Sequence, residues 1–173
     1  MRQTPRNKPH FHCVNRNANV MIIASIIVSL LYIIYSDVEN VSGQQSVTTD
    51  QEFLNKFVGL TKESRSLTNA YQQEIGKWQD HQSSNTTILM NTNDTIAQIN
   101  NLINKATNLQ TPEKYRGGVS LYVKSLEAER DSYKQFGDFI KTGNPVLNET
   151  SIDLFSDSLR YEMGAFKAIQ PSQ

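Results

Sequence analysis

Three glutamates, Glu74, Glu129 and Glu162, each interrupt an otherwise apolar stripe in this 173-residue chain, and a hydroxyl residue, Thr92, interrupts a fourth. If the four segments are helices running alternately up and down, counting residues from the turns brings all four side chains to about one level. Oxygen ligands so arranged suit a hard cation such as Ca²⁺, Mg²⁺ or Mn²⁺, and without a cation the like charges would raise one another's pKa. The competing expectation puts the glutamates at the stripe margins, with Ile75 and Met163 in the core and Arg130 or Arg160 as ion-pair partners. A heptad pattern drifts by about 20° per repeat on a straight helix, enough to move a residue out of a core.

Other chemistries have less to work with. The histidines are His10, His12 and His81, and no Glu-x-x-His occurs, so a ferritin-like di-metal centre lacks its ligands. His81, near the end of the first helical stretch, reads as a capping or solvent residue. There is no Gly-x-x-x-x-Gly-Lys-Ser/Thr loop and no Gly-x-Ser-x-Gly elbow. The sole cysteine, Cys13, has no intramolecular partner. No catalytic residue and no cofactor are therefore assigned, and a non-catalytic role is expected. The cluster Glu127, Glu129, Arg130, Asp131 and Lys134 reads as a solvated face, with Glu127 pairing Arg130 and Asp131 pairing Lys134. Tyr115, Tyr122, Tyr133 and Phe136, at heptad spacing, read as core.

The elements that would position these residues follow an uncharged apolar run, Ala18 to Ser36. At about 1.5 Å per residue it just spans a hydrocarbon core of about 30 Å, and Tyr32 and Tyr35 fall at its interfacial end. Arg2, Arg6, Lys8 and Arg16 precede the run and every Asp and Glu follows it. The positive-inside rule then keeps the N-terminus cytoplasmic and the rest outside. The best small-residue cleavage context, Val41-Ser42-Gly43, is remote from the run, so an uncleaved signal-anchor is expected. Four Asn-x-Ser/Thr sequons, at Asn40, Asn85, Asn93 and Asn148, lie on the outer side. That side holds thirteen of the seventeen Lys and Arg against all seventeen acids, which gives no reason to expect nucleic-acid binding.

The expected organisation is a basic cytoplasmic N-terminus (1–17), a transmembrane helix (18–36) contacting lipid, a polar stalk (37–48) and an all-α up-down four-helix bundle (49–173). Thr49-x-x-Glu52 has the form of a capping box and opens a helix to about Gln79 along Phe53, Phe57, Leu60, Ser64, Leu67, Tyr71, Glu74 and Trp78. After a polar turn, Leu89, Thr92, Ile96, Ile99, Ile103 and Ala106 form the second stripe. Thr111-Pro112-Glu113 signals the third start, and Tyr115, Val119, Tyr122, Leu126, Glu129, Tyr133, Phe136 and Ile140 step by four and three to Thr142-Gly143-Asn144-Pro145. Gly117-Gly118 marks a weak point or a close helix contact. The last helix, about Glu149 to Ile169, carries Ile152, Phe155, Leu159, Glu162, Phe166 and Ile169. An intermolecular coiled coil is the other use of such stripes.

Thr111-Pro112-Glu113-Lys114-Tyr115, Leu121-Tyr122, Leu126-Glu127, Tyr133, Phe136, Thr142-Gly143-Asn144 and Tyr161-Glu162-Met163 resemble a helical-hairpin pattern in uncharacterised exported or membrane-anchored proteins of archaea and bacteria. The resemblance covers residues 111–169 and implies a bundle and an outward location. The chain is thus expected to be a membrane-anchored extracytoplasmic module that binds a protein partner or its own copies. The alternatives are a small-ligand or divalent-metal bundle, or a sensor ectodomain needing a partner subunit.

Overall fold

The computed structural model describes residues 49–169, which form four α-helices: α1 (Thr49–Gln79), α2 (Asn85–Thr107), α3 (Arg116–Thr142) and α4 (Pro145–Ile169). No strand occurs among the described residues. The expected run 18–36 and stalk 37–48 lie outside them. None of the described helices is long and apolar enough to cross a membrane.

Side-chain contacts give the helix directions. Phe53 stacks on Tyr115, Tyr71 meets Tyr133 and Trp78 meets Phe136, so residue numbers on α1 and α3 rise together. On α1 and α2 they run oppositely, with Trp78 bonding Asn85 and Glu63 pairing Lys105. Phe57 against Phe166 and Arg65 against Glu162 make α1 and α4 antiparallel. The result is the expected up-down-up-down bundle.

All eight residues of the α3 stripe are buried. On α2 the stripe is turned: Ile88, Thr95 and Leu102 join Thr92, Ile99 and Ala106 inside, while Leu89, Ile96 and Ile103 are half-buried. A bundle helix has two neighbours and needs a face wider than one heptad seam. Leu89 serves the second neighbour, reaching toward Gly137 of α3.

The tightest pairing joins α3 to α4. Gly118, Ser125 and Ser132 recur at every seventh residue of α3, and Ser151, Ser158 and Ala165 do the same on α4. All six are buried. Ser132 donates to the carbonyl of Ser151 at 2.8 Å, and at the far end Gly118 faces Ala165 and Ile169. The same antiparallel register sets Ser125 opposite Ser158. Small residues let helix backbones approach, and this seam replaces the larger Ile152, Leu159 and Phe166 stripe, which lies at the half-buried flank.

The turns also differ from expectation in two places. The hydroxyl of Thr111 donates to the carbonyl of Leu109 instead of capping a helix, and Glu113–Tyr115 forms a 3-10 turn before α3 begins at Arg116. Two glycines at the helix start weaken an earlier onset. Helix α4 begins at Pro145 rather than near Glu149, because Asn144 accepts from the backbone N–H of Val146 and Pro145 takes the first helical position. The Gly143-Asn144-Pro145 stop signal is therefore also a start signal. Gly143 ends α3 in the left-handed region, φ 71°, donating its N–H to Phe139.

Candidate functional site

The most unusual group in the bundle is the carboxyl of Glu129, which α3 places in the core at 6 % exposure. The heptad register that buries Tyr122, Leu126 and Tyr133 buries Glu129 as well. Tyr133, one turn further on, donates its phenol hydrogen to Oε1 of Glu129 at 2.7 Å. Thr68 of α1 places its hydroxyl 2.6 Å from the same oxygen and 3.0 Å from the carbonyl oxygen of Ser64. Burial pushes the carboxyl up to about 7, the Thr68 and Tyr133 hydrogen bonds oppose that, and the negative charge of Glu162 adds to it. Burial, then the charge of Glu129, holds the Tyr133 phenol well above its ordinary range, so it acts as a neutral donor.

Glu162 stands at the edge of this cluster on α4. Its Oε1 accepts from Nε of Arg65 on α1 at 3.3 Å, and the Arg65 guanidinium lies 4.9 Å over the ring of Phe166. Thr92 belongs to a second polar centre. It donates to the carbonyl of Ile88 at 2.7 Å, which leaves the Tyr71 phenol to donate to Thr92 at 2.6 Å. The Tyr71 and Tyr133 rings meet edge to face at 4.4 Å, linking the two centres. Burial raises the phenols of Tyr71 and Tyr122 as well.

Glu74 is elsewhere. Its carboxylate takes Lys77 at 2.6 Å and the amide of Asn91 at 3.2 Å, near the solvent. Thr68, not Glu74, stands opposite Glu129, and six residues separate them on α1, about 9 Å along the axis. The four oxygens expected in one layer are thus divided between three places. Among the described residues no group of three or more His, Cys, Asp or Glu could hold a metal ion. Glu74 and Glu162 stand at the margins as the alternative has it and Glu129 does not, while neither residue expected to fill the core does so, since Ile75 is half-buried and Met163 exposed. Arg160 pairs with Asp157 and Arg130 with Asp131, so neither serves the stripe glutamates. Asp131 takes Lys134 as expected but also takes Arg130 in place of Glu127.

Sequence reasoning passed over Thr68 and Arg65, and it placed Tyr71 on the apolar stripe without its hydrogen bond to Thr92. A hydroxyl or cation beside an apolar stripe carries no signal until the facing helix is known. The Tyr133 and Glu129 bond was also missed, although both residues stood on the same stripe and residues four apart share a helix face. No protein family matches the chain, and no curated protein or solved structure matches it. The resemblance of residues 111–169 to exported helical hairpins therefore rests on its quoted residues alone.

Proposed function

We propose that this chain is a single-pass, signal-anchored membrane protein whose four-helix domain works outside the cytoplasm as a non-catalytic interaction module. The observation that carries the topology is the charge asymmetry about residues 18–36, with four fixed positive charges before the run and every acid after it. The interaction role is supported by the way the core's polar groups meet one another: Glu129 with Thr68 and Tyr133, Tyr71 with Thr92, Ser132 with Ser151. Recognition then falls to the outer helix faces, toward a protein partner or a second copy.

The sole cysteine makes the topology testable. In intact cells a membrane-impermeant maleimide leaves Cys13 unlabelled until the membrane is opened, whereas a Cys13→Ser, Gln82→Cys variant is labelled at once. The opposite pattern, or protection of both, overturns the reading. Purification of tagged chain from its own membrane then recovers a defined partner or a second copy; a bare monomer overturns the interaction role. One observation favours a second reading as a sensor ectodomain acting through a partner subunit: the carboxyl buried at Glu129, whose ionisation falls near neutral pH.

A further inference from the structure

Glu129 lies where α1, α3 and α4 meet, and the hydrogens around it can be counted. Thr68 has one hydroxyl hydrogen and two acceptors in range, the Ser64 carbonyl at 3.0 Å and Glu129 Oε1 at 2.6 Å. An ionised carboxylate only accepts, so the Thr68 hydrogen must leave Ser64 to satisfy it. A neutral carboxyl protonated at Oε1 donates to Thr68, Thr68 donates to Ser64, and Tyr133 donates to Oε1. Every short contact is then a hydrogen bond. Without the extra proton Thr68 must choose between Glu129 and the Ser64 carbonyl, which keeps its backbone partner within α1; with it, all three contacts are made at once.

We propose that Glu129 is a proton switch for the docking of α1: neutral, it closes a hydrogen-bond chain from α1 to α3, and ionised it loosens α1 from the α3 and α4 hairpin.

The surrounding groups set the direction. From α1, Arg65 faces the cluster with its guanidinium on Glu162, and Thr68 and the Tyr71 phenol add no charge at neutral pH. From α4 comes Glu162, a second negative charge. On α3 itself Tyr122 and Tyr133 stay neutral and Arg130 is held by Asp131. Helix α2 sends only the Thr92 hydroxyl, through Tyr71; its titratable residues Asp94 and Lys105 are exposed. A charge formed at Glu129 thus meets a like charge and a dry wall, which is costly. Helix α1 is the element that yields. The hairpin is held by its own close-packed seam of small residues, including Ser132 on Ser151 and Gly118 against Ala165, whereas α1 reaches it through long side chains such as Phe53 on Tyr115 and Phe57 on Phe166. A carboxyl pushed up to about 7 changes charge within the range cells encounter.

The test uses the purified full chain in detergent micelles. The side-chain carboxyl carbon of Glu129, assigned by its loss in Glu129→Gln, is followed by NMR between pH 4 and 9. In parallel, amide hydrogen exchange is measured at pH 5.5 and 8.0, corrected for intrinsic rates. The proposal expects a midpoint near 7, and protection of α1 falling roughly 30-fold across that interval while the hairpin changes little. Glu129→Gln should keep low-pH protection at both values. A carboxyl titrating within a unit of its ordinary 4.5 overturns the switch, as does α1 protection that is the same at both pH values. Equal loosening of all four helices overturns the assignment to α1. Should Glu129→Gln fail to fold, the wild-type exchange profile still decides, with Glu129→Met supplying the spectral assignment.

Discussion

Gly118 on α3 and Ile169 on α4 meet so closely that a single added methyl group would have no room: a Cβ on Gly118 would strike Cγ1 and Cδ1 of Ile169 and lie 3.2 Å from the Ala165 carbonyl oxygen. The neighbouring Gly117 would place the same atom in open space. Adjacent glycines thus have opposite roles, one structural and one incidental.

Gly118→Ala should therefore destabilise the bundle by about 1 to 3 kcal/mol through overpacking, even though alanine favours the helix. Gly117→Ala should stabilise it by about 0.5 to 1 kcal/mol, because only the conformational term remains. Thermal unfolding of the two variants side by side checks this. Equal effects would mean the α3 and α4 register is wrong.

The Tyr71 and Thr92 hydrogen bond gives a double-mutant cycle. Tyr71→Phe removes a donor while Thr92 keeps its own bond to Ile88, so the loss should be about 1 kcal/mol. Thr92→Val strands a buried phenol and should cost more, about 1 to 3 kcal/mol. The double variant should be less damaged than the two losses together; strict additivity in chemical denaturation would show that the groups do not interact.

The turn that closes α1 after Gln79 puts His81 at φ 59°, its N–H bonded to the Trp78 carbonyl and the next N–H, of Gln82, to Lys77. That is the position where glycine usually closes a helix. His81→Gly should raise stability by about 1 kcal/mol by removing the left-handed penalty on a side chain. A loss measured by thermal unfolding would assign the imidazole a favourable contact.

Stability should fall with rising pH through the range set by Glu129. Its folded value of about 7 lies above the ordinary 4.5, so the folded state holds the extra proton between those values. The contribution is whole below 4.5, is lost as pH climbs to 7, and reaches about 3 kcal/mol in size. Asp131, lowered chiefly by Arg130, works oppositely and only at more acid pH. Urea midpoints from pH 5 to 8 should decline in the wild type and stay level in Glu129→Gln. Tyr133→Phe, which removes a donor from the carboxylate, should steepen the decline.

Added Ca²⁺, Mg²⁺ or Mn²⁺ should leave the unfolding temperature unchanged, because Glu74 lies apart from Glu129 and Glu162, and the three take Lys77, Thr68 and Arg65 as their partners. A rise that grows with cation concentration would restore the single oxygen layer.

Residue types and spacing alone determined four amphipathic helices, the bounds of α1 and the whole buried stripe of α3, because that stripe carries most of its helix's large apolar residues. They also placed Glu129 on that stripe. Only the tertiary structure decided which helix carried which height. An axial shift of six residues leaves every stripe intact, yet it moves Glu74 to Asn91 and puts Thr68 opposite Glu129. Likewise the rotation of α2 and α4 depended on their neighbours: α2 turned to serve two of them, and on α4 the small residues Ser151, Ser158 and Ala165, facing Gly118, Ser125 and Ser132 of α3, decided which flank went inside. Their signal was present as a seven-residue repeat. It has meaning only when two such repeats face each other, since small residues stabilise a helix pair by the close approach they permit and not by the little surface they bury.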